Sequence, residues 1–336
     1  MLYFYFIYTC SAIILAIFIH KKNFLSNYSG DNHQLFSNKK NVPLIGGLFL
    51  IIPLVLLYYQ NTFYIITLIS VALIGLLSDR KILVSAKKRF LFQLSLIVLS
   101  VIFLDLEILS SRLIFFDNLL NIYVFNLFFT SFCLLILING SNFIDGLNGL
   151  LLIYMTFVIL FLLKLGLLSK LPFEKNFITY LIFFLAILII LNLSNILMLG
   201  DTGAYLLSFF VGYLIINCHN LNPYISPYFF IMLIWYPCFE NLFSIIRKLK
   251  SNISPFDPDN SHLHQLVYTF IKRKISKNRL VANNISGLII NAFNFIIIFI
   301  GSAKVYDSVY QISLIIISTL IYIFLYLFLK SNLGKK

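Results

Sequence analysis

Long apolar runs alternate with short polar breaks along this chain. A bilayer crossing takes about 17–25 apolar residues as helix. Runs of this kind lie near residues 2–19, 43–59, 62–77, 90–108, 121–138, 148–168, 175–191, 203–218, 226–246, 283–301 and 309–329. The pattern predicts an all-α, polytopic integral membrane protein with about 11 transmembrane helices. The runs at 62–77 and 203–218 are short enough to be tilted or broken, and an odd number of spans puts the two termini on opposite sides. One break stands out. Residues 139–150, NGSNFIDGLNGL, crowd three Asn, one Asp, one Ser and three Gly between stretches of Leu, Ile and Phe.

Composition agrees with the pattern. The 336 residues are 60% hydrophobic, 17% aromatic and 11% charged, against about 45–50% apolar and 25% charged in soluble domains. No shift in composition marks a second, soluble unit, so residues 1–336 read as one transmembrane domain. The first run, MLYFYFIYTCSAIILAIFIHKK, lacks a basic leader and a small-residue cleavage site, and it reads as a retained span. The four cysteines, Cys10, Cys133, Cys218 and Cys238, stand singly in apolar runs. Without CxxC spacing they read as small buried side chains rather than metal or disulfide partners.

Charge gives the orientation. Of the 25 Lys and Arg residues, 20 fall in segments 20–42, 78–89, 247–282 and 330–336, while Arg112, Lys164, Lys170, Lys175 and Lys304 occupy the alternate loops. Under the positive-inside rule the N-terminus lies outside and the C-terminus in the cytoplasm. The net charge of +13 is then a cytoplasmic skirt facing anionic membrane lipids, and nothing in the chain points to nucleic acid. The same orientation collects the informative breaks on the inner face: SDRKILVSAKKRF (78–90), NGSNFIDGLNGL, LGDTGA (199–204) and SPFDPDNSHLHQLVY (254–268), within a basic loop of about 247–282. A cytoplasmic-face active site is expected, built from segments far apart in sequence.

Their chemistry is that of anions and cations. Asn139, Asn142, Asp145 and Asn148 recur every third residue. On a helix each such step drifts about 60°, so the first three could point into one cleft. The bland alternative is a polar turn that serves only its own backbone, but a carboxylate at membrane depth is usually functional. Asp201 sits between two glycines at the mouth of an apolar span, where capping that helix is the competing role. With Asp79 closing another span, Asp79, Asp145 and Asp201 offer three hard oxygen ligands, and Mg2+ is commonly held by one or two carboxylates plus substrate phosphates. His262 and His264 lie in the basic loop with Arg247, Lys248 and Lys250, which favours phosphate contact over zinc. Glu240, buried in an apolar run, reads as a structural partner for a basic group. Together these groups suggest phosphoryl transfer on a membrane lipid, which is largely positioning and electrostatics.

In order along nearly the whole chain, these segments resemble the polyprenyl-phosphate N-acetylhexosamine-1-phosphate transferases. VPLIGG (42–47) is similar to the family's Pro-x-x-Gly-Gly motif, GLLSDRKILVSAKKRFLFQ to its acidic loop, NGSNFIDGLNGL to its Asn-x-x-Asn-x-x-Asp-Gly-x-x-Gly-Leu signature, LGDTGA to its Gly-Asp-x-Gly motif and PDNSHLHQ to its His-x-His element. The resemblance implies that undecaprenyl phosphate attacks a UDP-N-acetylhexosamine, releasing UMP, in the bacterial inner membrane. It implies catalytic roles for Asp79, Asp145 and Asp201, with Asp201 a ligand of Mg2+ (Mn2+ as a substitute) and Asp79 beside the lipid phosphate. Asn142 and Asp145 would help to hold the nucleotide and diphosphate, His262 and His264 would contact the sugar nucleotide, and Asn139 and Asn148 would also bind substrate. Arg89, in the run Lys87, Lys88, Arg89, would draw in the lipid phosphate, unless that run is only a positive-inside anchor. Three positions depart from the family: Ser78 replaces the first of two acids, Asn148 an acid of the signature, and Gln265 a histidine. They lean toward the polysaccharide-initiating branch. A transporter of lipid phosphate or sugar nucleotide and a non-catalytic homologue remain as rivals, and a second copy of the chain remains open as a partner.

Overall fold

The computed structural model describes residues 2–22, 24, 42–173, 175–257 and 261–334. Pro258, Asp259 and Asn260 of the histidine segment lie outside the described residues. Each of the eleven apolar runs becomes helix: α1 (Leu2–Lys22), α2 (Gly46–Leu57), α3 (Thr62–Asp79), α4 (Ala86–Phe103), then, after the short α5 (Ile114–Leu120), α6 (Tyr123–Ile144), α7 (Leu150–Lys164), α8 (Lys175–Leu193), α9 (Gly200–Leu221), the pair α10 (Pro227–Leu233) and α11 (Trp235–Lys250), and, after α12 (Leu263–Lys274), α13 (Arg279–Gly301) and α14 (Ser308–Gly334). Away from its ends, a helix pairs its backbone polar groups within itself, which is what a lipid-embedded chain requires.

By length and apolarity, seven of the described helices can cross a membrane, or eight if α10 and α11 form one span. That pair is bent by 75°, so the run at 226–246 is not one straight helix. The α2 and α7 helices are apolar but shorter, at 12 and 15 residues, and α4 opens on Lys87, Lys88 and Arg89, which lowers its apolarity.

The α9 helix is the axis of the molecule. Nearly every side chain from Thr202 to His219 is buried, and α2, α3 and α6 pack on it. Without a hydrophobic force to join helices in lipid, small residues at the seams decide how closely they approach. A Cβ added at Gly75 of α3 would overlap the backbone of Thr202, and one at Gly47 of α2 would overlap that of Gly203. The first turn of α2 is fastened to the same place: Gly46 and Gly47 donate their N–H groups to the carbonyls of Met198 and Leu199 at 3.0 and 2.9 Å. The seams bring the C-terminal end of α3 against the N-terminal end of α9.

Candidate active site

Four helix ends and one loop meet at one end of the bundle. Asp79 is the last residue of α3 and is buried. Its Oδ1 accepts the Asp201 N–H at 2.8 Å, and its Oδ2 accepts the Thr202 N–H at 3.0 Å and the Thr202 hydroxyl at 2.6 Å. The first N–H groups of a helix have no partner within it, and here another helix's carboxylate supplies one. Asp201 is therefore not the cap of α9; Asp79 is. Gly200 makes this possible, because its φ is +75° and a Cβ there would come within 2.8 Å of the Asp79 carboxylate.

Freed from capping, Asp201 faces the other helices. Its Oδ1 accepts from Asn142 Nδ2 at 2.8 Å. Its Oδ2 accepts from the Ser78 hydroxyl, from Arg89 Nη1 at 3.2 Å and, more distantly, from the Tyr205 hydroxyl at 3.4 Å. Arg89 also donates to Ser78 Oγ at 2.7 Å. Lys87 and Lys88, by contrast, are exposed.

Asp145 stands just past the end of α6. It is half-buried, and desolvation, with the charges of Asp201 and Asp79 added, pushes its carboxyl well above the ordinary carboxylate range. Each of these causes disfavours the ionised form, and a nearby cation would reverse them. Among the described residues no three His, Cys, Asp or Glu side chains come together at metal-ligating distance. The donors available are hard oxygens from two carboxylates, Asp145 and Asp201. They fit a Mg2+ ion that takes its remaining ligands from water and phosphate, and they do not fit an all-protein cage.

The histidine loop closes over the same end. His264 is fully buried and lies against Gly146, where a Cβ would meet its Nε2 at 2.8 Å. The His262 ring stacks beside it, with centroids 5.6 Å apart, and contacts Phe143. His262 Nδ1 is 2.9 Å from Glu240 Oε1, and the Tyr322 hydroxyl donates to Glu240 Oε2 at 2.7 Å. The structural partner expected for Glu240 is thus His262. Gln265 has a local duty: its Oε1 accepts the His262 N–H at 3.1 Å and closes the first turn of α12. Arg247 donates to the Ser261 carbonyl and to the Tyr326 hydroxyl, and Lys248 to the carbonyls of Pro255 and Asp257. These cations tie down the loop.

Of the residues singled out in the sequence, Asp79, Asn142, Asp145, Asp201 and Arg89 come together, and His264 joins them through Gly146. One member of the triplet repeat turns elsewhere: Asn139 donates back to the Leu135 carbonyl of its own helix. Asn148 is buried, and its backbone N–H donates to Asn283 Oδ1 at 2.7 Å. Thr202 and Tyr205 went unmarked. A hydroxyl beside a helix-opening Asp was the available signal for Thr202, whereas Tyr205 becomes visible only once α9 is known to be helical, one turn beyond Asp201.

Residues 61–219, which hold Asp79, Arg89, Asn142, Asp145 and Asp201, match the model of glycosyl transferase family 4. That segment of the chain is similar to the family, in agreement with the resemblance of its motifs. It is 25% identical over 325 residues to an undecaprenyl-phosphate alpha-N-acetylglucosaminyl 1-phosphate transferase of Thermotoga maritima, covering 96% of this chain and 95% of the relative. Transferases of the same name from Escherichia coli O157:H7 and Salmonella typhi are 25% and 26% identical over 244 residues, or 67% of this chain. In those two the match spans 65% of the relatives' own length.

Proposed function

We propose that this chain is a member of glycosyl transferase family 4 and transfers an N-acetylhexosamine 1-phosphate from a UDP-sugar to a polyprenyl phosphate, the class of reaction that its relatives' names describe. An oxygen of the acceptor phosphate forms a bond to the β-phosphorus of the donor, the bond from that phosphorus to the bridging oxygen breaks, and UMP leaves with the electron pair. The observation that carries this reading is the meeting of Asp145, Asn142, Asp201 and Arg89 at one end of an apolar bundle. It combines carboxylates for a hard cation with a guanidinium for phosphate, next to where a lipid headgroup would lie.

A Mg2+ ion held by Asp145 and Asp201 would neutralise charge that develops on the phosphoryl oxygens. The chain's own residues do the rest. Asn142 orients Asp201, Asp79 fixes the turn that presents it, and the packing of His264 on Gly146 joins the histidine loop to the signature, where it would meet the sugar nucleotide. No general base is needed. A phosphate monoester carries a charge of about −1.5 to −2 at pH 7, so the attacking oxygen arrives largely deprotonated.

The reading is tested with purified protein, undecaprenyl phosphate, Mg2+ and a panel of UDP-sugars, following UMP. Release of UMP that requires both the lipid and the cation is expected with at least one N-acetylhexosamine donor. No UMP from any donor, in protein that stays folded, would favour a non-catalytic homologue.

A further inference from the structure

We infer that Arg89 and the catalytic cation compete for one oxygen of Asp201, so that the chain carries an internal counter-ion that sets how much Mg2+ it needs. The inference rests on the proposed function in one respect, that Asp201 takes the cation. The rest comes from how Arg89 is held.

Among the described residues, the carboxylate that the Arg89 guanidinium pairs with is Asp201. Asp79, adjacent to Ser78 in sequence, has both oxygens taken by the Asp201 and Thr202 N–H groups and the Thr202 hydroxyl. Arg89 Nη1 therefore ends 3.2 Å from Asp201 Oδ2, at a pair whose side chains are 32% and 26% exposed. Ser78 strengthens the arrangement, because its oxygen accepts from Arg89 while its hydroxyl donates to the same Oδ2. With Tyr205 at 3.4 Å, three donors converge on Oδ2, and Oδ1 has one, Asn142.

A carboxylate oxygen has two lone-pair sites. Oδ1 can accept from Asn142 and still ligate a cation, whereas Oδ2 is oversubscribed. A cation that engages Oδ2 must expel Arg89 or Ser78. One that binds Oδ1 alone still sits beside the Arg89 guanidinium, where like charges repel even in a partly shielded site. Either way Arg89 weakens cation binding.

The test reads Mn2+ binding by electron paramagnetic resonance on the full chain in detergent, without substrates. Arg89→Gln is expected to bind Mn2+ on the order of tenfold more tightly than the parent, because that repulsion is removed. Lys87→Gln removes the same charge two residues away, from an exposed side chain, and should leave the affinity within about twofold, since exposed charges are well screened. Misfolding cannot produce the expected direction, because it would weaken binding. Equal or weaker binding by Arg89→Gln overturns the inference, as does equal tightening by both variants, which would mean a general field rather than competition at Asp201. A parent that binds no Mn2+ removes the cation from the proposed function as well. A parent that binds it normally while Arg89→Gln is unchanged removes only the competition.

Discussion

Asp79 and Asp145 are both carboxylates at the ends of apolar helices, yet their oxygens do different things. Asp79 holds three donors from the first turn of α9. Replacing a capping side chain by Ala typically costs about 0.5–2 kcal/mol, and leaving buried donors unmet adds to this. Asp79→Ala should therefore lower the melting temperature in detergent and the activity together. Asp145→Asn and Asp201→Asn should instead lose on the order of 100-fold or more in UMP release, since a metal that offsets charge in the transition state is worth several kcal/mol. For Asp145→Asn the melting temperature should hold or rise, because a carboxyl pushed up by desolvation and like charges gains by losing its charge. Full turnover of either Asn variant in the standard assay, or of the parent in excess chelator, would count against the cation. Ser78→Ala should stay within about tenfold of the parent. Its hydroxyl is one bond of roughly 0.5–1.5 kcal/mol, and Arg89 still reaches Asp201 directly. If Ser78→Ala is as inactive as Asp201→Asn, Ser78 has a role this account lacks.

At the scale of elements, the seams of α9 decide whether those side chains meet. Gly75 lies one turn before Asp79 on α3, against Thr202. Gly75→Val should push α3 away from α9 and pull Asp79 off the turn it caps. A sharp loss of thermal stability is expected, of the 1–3 kcal/mol kind seen on overpacking or more. Gly166 makes a control, since a Cβ there meets nothing within 4 Å. Its φ of +71° limits the cost of Gly166→Ala to about 1–2 kcal/mol of backbone strain. If Gly75→Val melts no lower than Gly166→Ala, the α3–α9 seam does not carry the site. Hydropathy made the helices legible because burial in lipid is written in runs of apolar residues, and all eleven runs are helical. The 75° bend between α10 and α11 was not legible, because the break, at Ile234, falls among apolar residues inside the run itself. Within the site, Asp145, Asn142 and Asp201 could be read from polarity out of place. That Asp79 rather than Asp201 caps α9 could not, because it depends on a contact between positions 122 residues apart. Nor could the destination of Asn139, whose spacing matches that of Asn142.

At the scale of the molecule, loops alternate between two ends. The carboxylates, Arg89 and the histidine loop share one end. At the other, Arg112 donates to the carbonyls of Tyr306, Pro223 and Tyr224 and to the Ser308 hydroxyl, tying together three loops that all belong to the poorly charged set. The sorting of loops by charge and the sorting by position in the bundle therefore agree, although each comes from different information. A membrane turns this agreement into an orientation. Each Lys or Arg near an anionic leaflet is worth about 1 kcal/mol, and 20 of the 25 lie in segments assigned to the site's side, so we propose that insertion puts that end in the cytoplasm, on the side the proposed donor requires. A reporter fused after Lys336 should then read cytoplasm, and one inserted in the 302–308 loop, where Tyr306 is exposed, should read the outside. Moving basic residues tests the cause: replacing Lys272, Arg273, Lys274 and Lys277 by Gln should weaken the bias and raise the mis-inserted fraction seen with either reporter. A parent with its C-terminal reporter outside would place Asp145 and Asp201 on the outer face, and the proposed UDP-sugar donor would fall with the orientation.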